Sequence, residues 1–193
     1  MRTPSSLRII RDEHASLAAM LRSMRILVDQ GPEDSRRQFF DVLRAMLFYI
    51  DEFPERLHHP KESNLLFPKV IKAVPKTMGA IDRLEKDHAH SEGVARELQH
   101  LLLAWELLGP SRREAFVQAF DQYVNFYLAH MQLEESAILP QAQAALTPED
   151  WAELDAAFEQ NADPLTGQYP PTAEYEKLFS LIVARAPAPI GLG

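Results

Sequence analysis

The feature that most limits how this chain can fold is the spacing of its apolar residues, which recur every third or fourth position in four long blocks. That period belongs to α-helices that bury one face. The first block runs from about Ser5 to Val28, with Leu7, Ile10, Leu17, Leu21, Met24 and Val28 on one seam, and Gly31-Pro32 ends it. The second starts near Glu33, carries Phe40, Leu43, Leu47, Ile50 and Leu57, and ends near Phe67-Pro68. The third follows Pro75 with Ile81, Leu84, Ala95, Leu98, Leu102 and Trp105, and stops at Gly109-Pro110. The fourth carries Phe116, Phe120, Tyr123 and Tyr127 and stops near Leu139-Pro140. Ser111, with Glu114 three residues on, predicts a capping box at its start. With 7 glycines and no Asn-Gly or Asp-Gly hairpin signal, strands are not expected. Blocks of this length joined by short turns predict an all-α fold, an up-down-up-down four-helix bundle over residues 1–145.

Residues 146–193 differ in character. Thr147-Pro148-Glu149-Asp150 predicts a capped start to a short helix running through Phe158. Prolines 164, 170 and 171 and Gly167 predict irregular chain from Asn161 to Thr172, and a last short helix is expected from roughly Ala173 to Ala184. This C-terminal helical extension is expected to pack on the bundle or against a partner chain, an arrangement compatible with a homodimer. It carries no sign of a second domain.

Composition narrows the function classes. At 193 residues and 46% hydrophobic, the chain can bury one core without staples. The absence of cysteine excludes disulfides, thiolate zinc sites, cysteine-ligated iron–sulfur clusters and cysteine nucleophiles. A formal charge of −8 lacks the basic footprint of a nucleic-acid binder and disfavours anionic membrane surfaces. The opening MRTPSSLRIIRDEH holds no apolar stretch before charge resumes, so no signal peptide is expected. No segment reaches eighteen uninterrupted apolar residues. A cytoplasmic protein is the expectation.

The chemistry lies where polar residues interrupt the apolar seams. His14 breaks the first seam, His88 and Glu92 the third, and His130 and Glu134 the fourth, while His58 and Glu62 continue the second. Residues four apart face the same way, roughly 6 Å from each other along the helix. Burying several imidazoles and carboxylates without partners would cost several kcal/mol each, so something must compensate them. A pair of metal ions would: four neutral imidazoles and two carboxylates, shared between two ions, leave room for bridging oxo or hydroxo groups and open positions. Imidazole with carboxylate and no sulfur suits iron, with manganese or zinc as competitors. The arrangement also repeats. Histidine to proline is ten residues in both His58…Pro68 and His130…Pro140, and His14 and His88 lie 44 and 42 residues upstream of their partners.

Taken together, His14, His58-x-x-x-Glu62, His88 and His130-x-x-x-Glu134 resemble the hemerythrin-like, HHE cation-binding family, and the strings HHPKESNLLFP and HMQLEESAILP resemble its bacterial members. The resemblance covers roughly residues 5 to 142. It implies a four-helix bundle with two iron ions per chain, oxo- or hydroxo-bridged. It makes His14, His58, His88 and His130 terminal ligands, and Glu62 and Glu134 bridges. Oxygen-carrying hemerythrins have a second histidine four residues after the third-helix ligand, where this chain has Glu92, and a longer His-to-Asp spacing in the last helix. The four-His, two-Glu pattern is closer to bacterial proteins linked to nitric oxide, oxidative stress and iron–sulfur repair. Those repair proteins usually carry an N-terminal cysteine-bearing segment that this sequence lacks. These departures point away from reversible oxygen storage, and the negative charge of Glu92 beside one iron would favour the ferric state, so oxidation by oxygen is expected.

Other residues have weaker claims. Glu92 is open to three roles: an extra ligand, an acceptor for an imidazole N–H, or a charge that tunes the metal. His59 points about 100° away from His58 along a regular helix, which places it in solvent or behind the ligands, with a ligand role as the alternative. His90 and His100 fall off the third seam and are expected at the surface. Tyr123 and Tyr127 are expected in the core, with a hydrogen bond to a bound oxygen species as the alternative. Pro54 and Pro60 predict either a bend that wraps the bundle or one that opens space for metal. Two functions follow: a di-iron protein that binds or reduces a small oxidant such as oxygen, peroxide or nitric oxide, or a non-catalytic iron or oxygen sensor. A small diatomic or peroxide ligand is the expected partner, with no nucleic acid and no membrane.

Overall fold

The computed structural model describes residues 4–32 and 35–193, apart from the side chain of Glu92. Helix α1 spans Ser5–Gln30. The second long helix begins as α2 (Arg36–Ile50) and passes through a π-helical stretch, Asp51–His58, into the single turn α3 (His59–Lys61). It then takes a second π stretch, Glu62–Leu66, and ends as α4 (Phe67–Ala73). A 3₁₀ turn leads into α5 (Met78–Leu108), and another, Pro110–Arg112, into α6 (Arg113–Leu133). The fourth long helix continues through a π stretch, Glu134–Ile138, to α7 (Leu139–Ala145). Helix α1 packs on α2, α2 on α5, α5 on α6, and α6 back on α1, which closes the expected up-down-up-down bundle. There is no strand among the described residues.

The expected helix ends at Phe67-Pro68 and Leu139-Pro140 are not ends, since α4 runs on to Ala73 and α7 to Ala145; the other turns and caps behave as the sequence suggests, with one exception. Gly31 and Gly109 take φ of 73° and 92° and donate to the carbonyls of Leu27 and Trp105, so each closes a helix in a conformation that side chains resist. Thr147 and Asp150 form a reciprocal capping box at the start of α8 (Pro148–Phe158). The exception is Ser111, which makes no cap. Pro110 starts a 3₁₀ turn there, so Ser111 sits inside a helical turn when a cap residue needs extended backbone.

The prolines inside the long helices do not break them. A proline crowds the carbonyl four residues back. For Pro60, Pro68 and Pro140 those carbonyls belong to Arg56, Asn64 and Ser136, each inside a π stretch; for Pro54 it belongs to Ile50, just before one. The wider turn relieves the clash and re-pairs the backbone: Phe67 and Leu139 donate to the carbonyls of Glu62 and Glu134, five residues back.

The apolar core is divided. One cluster joins Leu17 to Val28 with Phe40, Leu43, Trp105, Phe116 and Phe120. The other joins Leu7 and Ile10 with Phe67, Ile81, Leu84, Ile138 and Leu139 at the opposite end. Between them lies the layer that contains His14, His58, His88 and His130. Helix α8 packs on α1 and adds Trp151, Leu154 and Phe158 to the second cluster. Helix α9 (Glu176–Arg185) packs on α2 and adds Phe179 and Ile182 to the first. Among the described residues, no helix is long and apolar enough to cross a membrane.

Asp155 ties α8 to the start of α1. Its Oδ1 accepts from the backbone N–H of Ser6 at 2.8 Å and from the Ser6 hydroxyl at 2.6 Å, satisfying a helix-end donor that has no partner within α1. Burial raises the Asp155 carboxyl, the Ser6 bonds lower it, and the bonds win. Its stabilising effect is therefore present above the unfolded value of about 4 and lost as pH falls through the lowered folded value. Asp155→Ala is expected to cost about 1 kcal/mol at pH 7 and to lose that penalty in acid, as read by urea denaturation at both pH values. An equal cost at both would reject the capping role.

Candidate metal centre

Each long helix sends imidazoles or carboxylates into the layer between the two clusters. Glu13 and His14 come from α1, and Glu55, His58, His59 and Glu62 from the second long helix. His88 comes from α5, and His130 and Glu134 from the fourth long helix. Their nitrogens and oxygens converge in two groups able to hold a cation: His14, His58, Glu62 and Glu134 in one, and His59, Glu62, His88 and His130 in the other. Within each group the ligand atoms all lie within 4.8 Å of one another. Glu62 belongs to both. Its Oε1 is 2.7 Å from Nε2 of His58, and its Oε2 is 3.3 Å from Nε2 of His88.

Behind the imidazoles stands a second row of acceptors, which grip the other ring nitrogen. His58 Nδ1 meets Glu13 at 2.6 Å, His14 Nδ1 meets Glu135 at 2.9 Å, and His59 Nδ1 meets Glu55 at 3.2 Å. His88 Nδ1 lies 2.9 Å from the Ser63 hydroxyl, which donates onward to Glu85 at 2.9 Å. Asp87 is 3.4 Å from His130 Nδ1. An acceptor at Nδ1 fixes the tautomer and turns the Nε2 lone pair inward, the usual support of a metal-bound histidine. None of these acceptors stood out in the sequence. Their signal was adjacency: Glu13, Asp87 and Glu135 each flank a seam residue, and Glu55 lies four before His59.

The inner atoms fit a cation. Glu62 and Glu134 are 0% exposed, and among the described residues all four of their carboxylate oxygens lack a hydrogen-bond partner, as does Nε2 of His58. The short approach of His58 to Glu62 is an ion-pair contact without hydrogen-bond alignment. Orphaned charged oxygens at this depth are costly, and a bound cation would engage all of them. The electrostatics agree. Burial lowers His14 and His58, but the facing glutamates outweigh it, so His14 rises to about 9 and His58 well above its ordinary value. That position favours positive charge. Burial and the neighbouring imidazoles instead push His130 down to about 2 and His59 below its ordinary value, which keeps both neutral, the form that binds metal. Of the glutamates, Glu134 is raised by burial and by Glu62, whereas Glu62 is raised by burial but lowered further by His58 and His88.

Of the places the sequence leaves open to His59, the structure removes the solvent one and keeps those behind or among the ligands. His59 is 5% exposed, not in solvent, and stacks on His88 with ring centroids 4.1 Å apart, while His58 faces His14 at 5.1 Å. The expectation of 100° assumed a regular α-helix; the π stretch that ends at His58 alters the register there, and the two neighbours straddle Glu62. His90 and His100 are exposed, as expected. The side chain of Glu92 lies outside the described residues, so its three readings stay where the sequence left them. Tyr123 and Tyr127 are buried, as expected of core residues. The Tyr127 hydroxyl donates to Glu55, which also accepts from Ser91 at 2.6 Å; the Tyr123 hydroxyl has no partner among the described residues.

A cavity of about 20 Å³ adjoins His58 and His59, walled by Leu17, Phe53, Leu57 and Met131. That is space for a single water-sized molecule. On the outer side of His14, a surface recess bordered by Arg11, Ala18, Leu128 and Glu135 opens to solvent.

Comparison with known proteins agrees with this geometry. Residues 5–142 match the family described as Hemerythrin HHE cation binding domain. A curated relative from Haemophilus influenzae, described as an uncharacterized protein, is 28% identical over 126 residues, which is 63% of this chain and 70% of that protein. No solved structure matches the chain.

The two tyrosines should separate cleanly in stability. Tyr127→Phe leaves a buried Glu55 oxygen without its donor and is expected to cost about 1–3 kcal/mol. Tyr123→Phe removes a hydroxyl that has no partner and is expected to be neutral or stabilising. Chemical denaturation of both variants checks the contrast, and equal costs would contradict it.

Proposed function

The chain belongs to the Hemerythrin HHE cation binding domain family, and from that premise we propose that it is a non-haem di-iron protein that binds or reduces a small oxidant such as oxygen, peroxide or nitric oxide. The observation that carries the reading is Glu62: a fully buried carboxylate whose two oxygens face different histidine groups and find no hydrogen-bond partner. A carboxylate placed this way suits a bridge between two ions. His14, His58 and Glu134 would complete one position, and His59, His88 and His130 the other. The donors are nitrogen and oxygen throughout, which suits iron, with manganese or zinc able to compete.

Iron would supply the electrons and the open coordination positions that a small oxidant needs. The chain's own groups supply the rest. Glu13, Glu135, Glu55, Ser63 and Asp87 orient the imidazoles. Leu17, Phe53, Leu57 and Met131 give the small cavity beside His58 and His59 an apolar wall. Tyr127 and Ser91 hold Glu55 in place behind His59.

Protein purified without added metal is expected to contain about two irons per chain and to absorb in the near ultraviolet. His58→Ala or His130→Ala should lose most of the metal. Stripping iron should lower the melting temperature, because a ligand at a hundred times its Kd adds about 2.7 kcal/mol per site. Metal analysis, an optical spectrum and a thermal melt test all three. Full retention of both ions in either variant, or a chain that takes up no iron, would overturn the reading.

A further inference from the structure

The family match ends at residue 142, yet two polar side chains beyond it are buried against the metal layer: Asn161 is 4% exposed and Asp163 2%. Both line the cavity beside His58. They lie on a short segment after α8, where Phe158 brings its ring to 5.9 Å from the His58 ring. The chain then makes a 3₁₀ turn, Glu159–Asn161, and passes through Ala162 at φ 45°, a left-handed conformation that alanine resists. Side-chain anchors hold it on both sides. Asp163 accepts from the Tyr49 hydroxyl at 2.6 Å and from its own downstream N–H, at Leu165, at 2.9 Å.

Asn161 reaches the metal layer directly. Its Nδ2 donates at 2.9 Å to Oε2 of Glu13, the same oxygen that takes Nδ1 of His58 at 2.6 Å. Its Oδ1 accepts from the ammonium of Lys61. The amide orientation is fixed by chemistry: a carboxylate accepts and an ammonium donates, so nitrogen must face Glu13 and oxygen must face Lys61. Aspartate in the same place would set a carboxylate against Glu13, and an apolar residue would leave Glu13 with one bond fewer.

We infer that residues 159–167 form a wall of the metal centre, and that Asn161 is a positioning residue that acts on His58 through Glu13. The inference rests on the metal-binding reading above. Asn161 locks the Glu13 carboxylate, Glu13 locks the His58 ring, and Lys61 keeps the amide from turning. The cation position shared by His14 and His58 is therefore built partly by the C-terminal extension, whereas the position at His59, His88 and His130 is not.

The test is iron release from the full-length, iron-loaded protein into excess ferrous chelator under reducing conditions, followed by absorbance. Wild type should release its two ions in separable phases. In Asn161→Leu, one phase should quicken about tenfold and the other stay unchanged, in line with the effect of losing an outer-shell partner. His14→Ala identifies the affected phase by abolishing it. Lys61→Met should quicken the same phase by less, and because Lys61 is only half-buried it keeps the test decisive if Asn161→Leu does not fold. Circular dichroism of the metal-free variants checks folding. In the Glu13→Gln background, Asn161→Leu should add nothing, since its effect passes through Glu13. Unchanged release in the folded variants, equal acceleration of both phases, or additive effects with Glu13→Gln would each overturn the inference while the metal-binding reading stands. A wild-type chain that binds no iron would overturn both.

Discussion

Two carboxylates at zero exposure govern this molecule. Glu62 and Glu134 lie in the middle of a helical bundle with no hydrogen-bond donor on any oxygen among the described residues. A buried charge is tolerable only when paired. The chain surrounds this pair with five imidazoles, His14, His58, His59, His88 and His130, and divides its apolar residues into clusters above and below them. The clusters make the site rigid. Phe67 and Phe158 approach it from one end, stacking on His88 and packing beside His58, so the rings have apolar walls that limit their rotation.

The rigidity has a polar component as well. Every one of the five imidazoles has an acceptor at Nδ1, and several of those acceptors are themselves held: Glu55 by Tyr127 and Ser91, Glu13 by Asn161. A network satisfied on its outer side but left without partners among the described residues at the inner oxygens of Glu62 and Glu134 and at Nε2 of His58 is costly as a folding element, and the natural compensation is a bound cation. The same asymmetry gives the site its two characters. At His14 and His58 the glutamates favour positive charge, whereas at His59 and His130 burial and mutual repulsion favour neutral rings. One position is richer in carboxylate and the other in imidazole.

The π turns connect backbone to chemistry. Each His-x-x-x-Glu motif is followed by a wide turn that begins at its glutamate, and a proline stands six residues after that glutamate in both halves. The repetition in sequence is thus a repetition of backbone strain and its relief. The additional π stretch before His58 has no counterpart in the second half, and it is there that a second histidine, His59, enters the site. The two halves of the bundle are related but not equivalent.

The four helices, their order and the seam histidines and glutamates were legible in the sequence because helical periodicity is local: a residue's face follows from its distance along the chain to the next apolar residue. So were the turns at Gly31 and Gly109 and the cap at Thr147. Ser111 misled because Pro110 changed the backbone just before it. His59 was legible only as a neighbour of His58, since its direction depends on a hydrogen-bond register that shifts by one residue under the influence of prolines. The outer acceptors Glu13, Glu55, Asp87 and Glu135 look like ordinary surface charge until the helices pack. Asn161 and Asp163 were set aside as irregular chain, and nothing near them in sequence indicates Glu13 or Tyr49 as partners. The sequence by itself determined which residues share a helix face. Which faces meet, how adjacent histidines come to face different neighbours, and where the C-terminal segment closes against α1 are decided by contacts between residues far apart in the chain, from 25 positions for Ser63 and His88 to 148 for Glu13 and Asn161, and only the folded chain brings those together.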